Sequence, residues 1–224
     1  MESHANTPTR HGTARERDAT DDPSLYASLA DERRRTILSI VDERQAPIPQ
    51  AHLVRLIVAR ETQESIDDPP DAVVQQFESD LHHVHLPTLE AEGVVERTTD
   101  DAVGRTDHPL WSDSAFRTLL DSQALADPET TSLTLDALAS YERRAMLAAL
   151  HTHGSSSPDV LASTVADLLD SPRNPDALEA SIHHCHLPKL VAADVVTTVD
   201  GSTRIRYTGN ALLEDWWFAE GADT

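Results

Sequence analysis

The octapeptide His82-His83-Val84-His85-Leu86-Pro87-Thr88-Leu89 returns 101 residues later as His183-His184-Cys185-His186-Leu187-Pro188-Lys189-Leu190, so the chain is an internal duplication. Upstream, Leu29-Ala30-Asp31 with Arg34-Arg35 and Leu38 recurs as Leu138-Ala139-Ser140 with Arg143-Arg144 and Leu147, at an offset of 109 that Pro49 and Pro158 share. Between these blocks the second copy is eight residues shorter, and length changes of that kind belong in loops and helix starts. Two copies of roughly 90 residues suit a pair of small domains, whereas a solenoid needs about three repeats or more.

Within each copy the periodicity predicts the same succession of elements. Asp31 and Ser140 are N-cap residues, followed at helical spacing by Ile37, Leu38, Val41 and by Met146, Leu147, Leu150. Pro49 and Pro158 suit the first position of a second helix carrying Leu53, Leu56, Ile57 or Leu161, Val165, Leu168. Polar loops through Asp67-Asp68-Pro69-Pro70 and Ser171-Pro172-Arg173-Asn174-Pro175 come next. A third helix is expected from about Asp71 to Glu92 and from about Asp176 to Ala193, ending where Val94-Val95 and Val195-Val196 bring β-branched residues. A hairpin follows, turning at Asp100, Asp101 and Gly104 in the first copy and at Asp200-Gly201 in the second. A last short helix carries Phe116, Leu119, Leu120 or Leu212, Leu213, Trp216, Trp217.

Helix, helix, helix, hairpin, helix is the order of a winged helix-turn-helix domain, with the third helix as recognition helix and the hairpin as wing. The expected fold is therefore mainly α with small β-hairpins, in tandem winged helix-turn-helix domains. Residues 24–122 form the first domain, 123–131 a linker and 132–219 the second, with polar tails at 1–23 and 220–224.

The string His-Leu-x-x-Leu-x-x-x-Gly-Val-Val from His85 to Val95 resembles the recognition-helix end of ArsR-like winged helices. The chain is more similar to an uncharacterised domain family of haloarchaea, marked by the His-His-x-His-Leu-Pro-x-Leu string and an upstream Arg-Arg pair, over roughly residues 25–111 and 133–208. That resemblance implies a fold, and a function only by analogy. The second copy departs from the family pattern at Asp194, where Gly is usual, so its helix end is expected to adopt its turn at some cost.

Composition narrows the function classes. With 39% hydrophobic residues over 224, the chain is long enough for two modest cores, and no apolar run approaches the ~18 residues of a membrane span. The N-terminal residues lack the apolar segment of a secretory signal and are expected to be disordered. The single Cys185 excludes an intramolecular disulfide, which fits a reducing cytoplasm. The net charge is −21, and the basic residues are all Arg but for Lys189, a composition that resembles proteins of salt-in halophiles. At molar salt the Debye length falls to about 3 Å, so net repulsion barely reaches a partner and the counterion-release gain shrinks with it. Net charge alone therefore neither requires nor forbids DNA.

Against that background the candidate DNA contacts are Gln75, Gln76, Ser79 and His83 on the first third helix, His184 and Lys189 on the second, and the wing arginines Arg97, Arg105, Arg204 and Arg206. His82, His85 and Pro87, with His183, His186 and Pro188, are read as a structural motif. A projection at 100° per residue sets His82 and His85 on the same stripe as Leu86 and Leu89, facing the core or its rim. Cys185 is expected to be a small buried hydrophobe. No metal is expected, because a closed zinc site needs about four ligands and no second cluster recurs in both copies. Pro87 and Pro188 predict a kink, which Pro87→Ala is expected to straighten. Arg34-Arg35 and Arg143-Arg144, in first helical turns where the dipole disfavours cations, are expected to pair with carboxylates ahead of phosphates.

There is no glycine-rich phosphate loop, no nucleophile elbow and no recurring acid–base pair, so an enzyme is not expected, nor any cofactor. The leading expectation is a cytoplasmic DNA-binding transcription regulator whose two copies mimic a dimer. The post-wing helices would supply that interface, or join chains into a homodimer, or equally cap each domain's own core. The rival is a protein-interaction module that never touches DNA, favoured by the carboxylates Asp80 and Glu90 on the first third helix.

Overall fold

A computed structural model describes residues 22–62, 71–121, 127–169, 174–199 and 203–214. The N-terminal tail, the loop through Asp67–Pro70, Ser171–Arg173, the Asp200-Gly201 turn, Trp216 and Trp217 lie outside the described residues. The described chain is mainly helical with two small antiparallel sheets.

The first half runs α1 (Pro23–Leu29), α2 (Glu32–Arg44), β1 (Ile48–Pro49) and α3 (Gln50–Thr62). Next come α4 (Asp71–Asp80), a π-helical turn (Leu81–His85) and α5 (Leu86–Ala91), which together form one continuous third helix. It closes with β2 (Val95–Arg97), β3 (Ala102–Arg105), a 3-10 turn (Pro109–Ser112) and α6 (Ser114–Asp121). In the second half, α7 (Pro128–Leu138), α8 (Tyr141–His153), β4 (Ser155–Ser156) and α9 (Pro158–Leu168) precede a third helix built from α10 (Pro175–Ser181), a π turn (Ile182–His186) and α11 (Leu187–Ala192). The hairpin of β5 (Val196–Thr198) and β6 (Ile205–Tyr207) follows.

The short strands β1 and β4 are additions to the expected order. Each sheet places the last strand in the middle, β1-β3-β2 and β4-β6-β5, with Ile48 opposite Val103 and Ser155 opposite Arg206. Pro49 therefore lies in a strand rather than at a helix start. It occupies an edge position, where a missing N–H donor costs no ladder bond. Pro158 does take the first position of α9, after Ser157.

Local chemistry sets the helix ends. The Asp31 carboxylate accepts from the Arg34 N–H at 2.9 Å and the Ser140 hydroxyl from the Arg143 N–H at 3.4 Å, each meeting a donor the first turn leaves unpaired. Left-handed Gln45 (φ 54°) stops α2, and Gly154 (φ 78°) stops α8. The third helices end on Gly93 (φ 71°) and Asp194 (φ 53°). Asp194 thus holds the left-handed turn that Gly makes freely.

Helices α1 and α7 were not anticipated, and they change how the halves relate. Each begins on an Asp-Pro pair: Asp22 accepts from the Ser24 N–H and Asp127 from the Thr130 N–H, with Pro23 and Pro128 opening the helix. α7 starts inside the stretch read as a linker. It packs along α1, and Leu25, Leu29, Leu135 and Leu138 join a single core that continues through both halves. Burying an aliphatic side chain contributes about 1.5–3 kcal/mol, so the two copies stabilise one another rather than forming two separate cores. Among the described residues no helix is long and apolar enough to cross a membrane.

Candidate nucleic-acid interface

A stripe of inward residues runs along the third helix at a spacing of four: partly buried Phe77, then buried Leu81, His85 and Leu89 in the first half, and buried Leu178, Ile182, His186 and Leu190 in the second. In a regular α-helix, positions four apart drift by about 40° per step, so this stripe would wind off the core. The π turn absorbs one extra residue and realigns it. Pro87 and Pro188 stand just beyond, where the missing N–H and the ring's clash with the preceding turn favour widened i→i+5 bonding. The Leu86 N–H reaches the Leu81 carbonyl and the Leu187 N–H the Ile182 carbonyl. A π turn thus directly precedes each proline-bearing segment.

This changes the histidine assignment. His85 and His186 are buried, but His82 and His183 are exposed, because the shifted register gives their place in the core to Leu81 and Ile182. Cys185 is exposed as well, not a buried hydrophobe. The outward face of the first third helix then comprises Gln75, Gln76, Ser79, His82, His83, Val84 and Pro87. Gln76 bonds Asp80 at 2.9 Å, and the His82 and His83 rings meet edge to face at 4.8 Å. The second presents His183, His184, Cys185, Pro188, Lys189 and Val191. These faces and the hairpins beside them bring most of the candidate contacts onto the surface.

The cations expected to contact DNA are less free than their exposure suggests. Arg97 makes a two-pronged ion pair with Glu90, both contacts at 2.8 Å, which raises the pKa of its guanidinium. Arg105 sits opposite Val95 at the base of the hairpin, away from the tip. It binds Asp42 at 2.8 Å and lies 4.6 Å from the Trp111 ring, whose Nε1–H donates to the Val94 carbonyl. That makes Arg105 part of the packing between sheet and 3-10 turn. Lys189 reaches Asp136 on α7 at 2.8 Å. Arg204 bonds the Ser155 carbonyl and hydroxyl on the neighbouring strand. Arg206 is exposed on β6, and its side chain makes no hydrogen bond or ion pair among the described residues.

The arginine pairs have a different task from either one anticipated. Arg34 Nε donates to the Ser28 carbonyl at 2.6 Å, and Arg143 Nε to Ala137 at 2.6 Å. Arg35 Nη1 donates to Leu29 at 2.7 Å, and Arg144 Nη1 to Leu138. The main partners are therefore the last carbonyls of α1 and α7, where cations are favoured. An Asp31 carboxylate oxygen lies 3.8 Å from Arg34 and adds a weak ion pair. Each pair thus turns the chain from one helix into the next. The spacing of six between donor and carbonyl becomes readable once the preceding helix is recognised.

The apolar residues of α6 are committed within the chain. Phe116, Leu119 and Leu120 are buried against α2, and Phe116 meets Trp111 edge to face at 5.7 Å. Among the described residues, the contact between the two opening helices of the halves is made by α1 and α7.

Residues 26–104, from α1 to β3, match the family described as a domain of unknown function, DUF7344. No curated protein and no solved structure matches the chain.

Proposed function

We propose that the chain is a DNA-binding regulator of tandem winged helix-turn-helix build, acting in a halophile's cytoplasm. The observation that carries this reading is the repeated third helix, which leaves its outward face uncovered in both halves and leads directly into a hairpin. Outward glutamine, serine and histidine side chains suit base edges in a major groove, glutamine pairing bidentately with adenine. Few phosphate-directed cations remain, and at molar salt that deficit matters less, because phosphate neutralisation contributes little there. The second half is the stronger reader, combining His183, His184 and the unengaged Arg206.

A second reading is docking of a protein on the first half. It is favoured by the Arg97–Glu90 pair, which cancels the wing's cation, and by Val84, half exposed on the outward helix face. Selection of duplexes from a random-sequence pool in molar KCl separates the two. An enriched sequence whose binding weakens in an Arg206→Ala, His184→Ala variant supports the regulator. No enrichment at any salt by the folded chain supports docking.

A further inference from the structure

The two halves fasten the chain behind their hairpins by different chemistry. In the first half Arg105 on β3 ties the post-wing segment to α2. It binds Asp42 at 2.8 Å, donates to the Trp111 carbonyl at 3.4 Å, and lies 4.6 Å from the Trp111 ring. Strand register sets Tyr207, opposite Val196, where Arg105 stands opposite Val95. The offset of 109 sets His151 in the last turn of α8 where Asp42 stands in α2. Beyond the strands the copies stay in step, because the Thr106 and Thr208 hydroxyls donate to the matching carbonyls of Gly93 and Asp194.

At the places of this anchor the second half has a histidine, a tyrosine and a glutamate. His151 Nε2 lies 3.7 Å from Glu214 Oε1, and the His151 and Tyr207 rings meet edge to face at 5.8 Å. The Tyr207 hydroxyl donates to the Asn210 carbonyl at 3.1 Å, and that carbonyl also accepts from the Leu213 and Glu214 N–H groups. Residues 210–214 are thereby turned so that Leu213 is buried and Glu214 meets α8. Burial and the Glu214 carboxylate hold the Tyr207 phenol above the usual tyrosine range, so it stays uncharged near neutrality. Carboxylates and guanidinium groups keep their charge from pH 5 to pH 8, whereas an imidazole does not. The first anchor is therefore constant over that range, and the second contains a group that titrates.

The elements packed on α8 add no competing partner. α7 carries Glu129 and Asp136, α9 carries Asp159 and Asp167, and none of these makes an ion pair with His151 among the described residues. Asp136 is engaged by Lys189, and Asp159 by the Ser157 hydroxyl. β4 has no titratable side chain, and alternation along β6 sends Arg206 to the face opposite Tyr207. On α8 itself Glu142 accepts from Ser140, Arg143 and Arg144 bond carbonyls of α7, and His153 is exposed. We propose that His151 is a pH-operated clasp for the segment behind the second hairpin. Protonated, the imidazolium attracts Glu214 and holds residues 210–214 on α8. Neutral, it gives up that attraction and the segment opens more often. The clasp does not depend on whether the chain contacts DNA.

The test is amide hydrogen exchange of the full chain by NMR from pH 8 to pH 5.5 at fixed KCl, with each rate corrected for its intrinsic value at that pH. Protection of the Leu213 and Glu214 amides is expected to rise about two- to fivefold as pH falls, the size of an exposed ion pair. A global change in stability moves both halves together, so the Leu119 and Leu120 amides of α6 serve as the control and are expected to show no such rise. The rise is expected to vanish in His151→Gln and in Glu214→Gln. Both alter exposed side chains on different segments, so one folded variant suffices. Protection that stays level or falls in the parent chain, a rise that persists in a folded variant, or an equal rise on α6 overturns the proposal.

Discussion

The guanidinium of Arg35 leaves its own half and donates to the carbonyl of Pro128, the first residue of α7, at 3.2 Å. It also bonds Ser132 at 3.1 Å and Leu29 within α1. Its counterpart Arg144 lies with its guanidinium 5.0 Å from the Tyr26 ring of α1. The contact is therefore reciprocal, each half reaching the other's opening helix, as across a two-fold dimer interface.

Replacing Arg35 by Met keeps much of the volume and removes all three bonds. The carbonyls of Leu29 and Pro128 lose their donor, at about 2–3 kcal/mol. Urea unfolding in molar KCl is expected to show that loss, together with faster amide exchange along α7. An unchanged midpoint would mean that the halves are held by apolar packing alone.

Asp194 holds φ 53° where the first half uses Gly93 at φ 71°. Nothing lies within 4 Å of a Cβ built on Gly93, so the difference between the sites is one of backbone preference rather than space. Asp194→Gly is expected to stabilise the chain by about 0.5–1 kcal/mol, and Gly93→Asp to destabilise it by a similar amount. Thermal melts of the two variants check this, and shifts of the same sign would refute it.

Pro87→Ala restores a backbone donor inside the third helix. The π turn is nevertheless expected to persist over Leu81–His85, because regular winding would exchange buried Leu81 for His82. Losing that burial costs about 2 kcal/mol, more than one exposed helical hydrogen bond returns. A crystal structure of the variant decides, and His82 in the core would refute the argument.

Burial holds the His85 imidazole below the usual histidine range, with Asp31 offsetting part of the effect. The unfolded chain therefore takes up a proton here before the folded chain does. The contribution of His85 to stability is present in full above about pH 6.5, and is lost as pH falls from there through the lower folded value. Denaturation midpoints measured from pH 8 to pH 5 are expected to fall more in the parent chain than in His85→Gln. Parallel curves would contradict it.

Much of this architecture is legible in the residues. The repeated string, the Asp31 and Ser140 caps and the valines after each third helix mark the elements and their order. The π turn escapes a projection at fixed pitch, because a stripe spaced by four, from Phe77 through Leu81 and His85 to Leu89, looks like a rotating face until one turn is widened. The strands β1 and β4 are two residues long, too short for alternation to show. The Asp22-Pro23 and Asp127-Pro128 starts were visible signals of α1 and α7, and with them the arginine pairs become caps. The cations of the first hairpin and of α11 are a different case, since no spacing announces that Glu90, Asp42 or Asp136 will fold against Arg97, Arg105 or Lys189.

The proposal that two outward third helices read DNA is tested most directly by selecting duplexes from a random-sequence pool with the full chain in molar KCl. The account predicts enrichment of a sequence with two related half-sites, one contacted by each half. A folded chain that enriches no sequence at any salt concentration would contradict it.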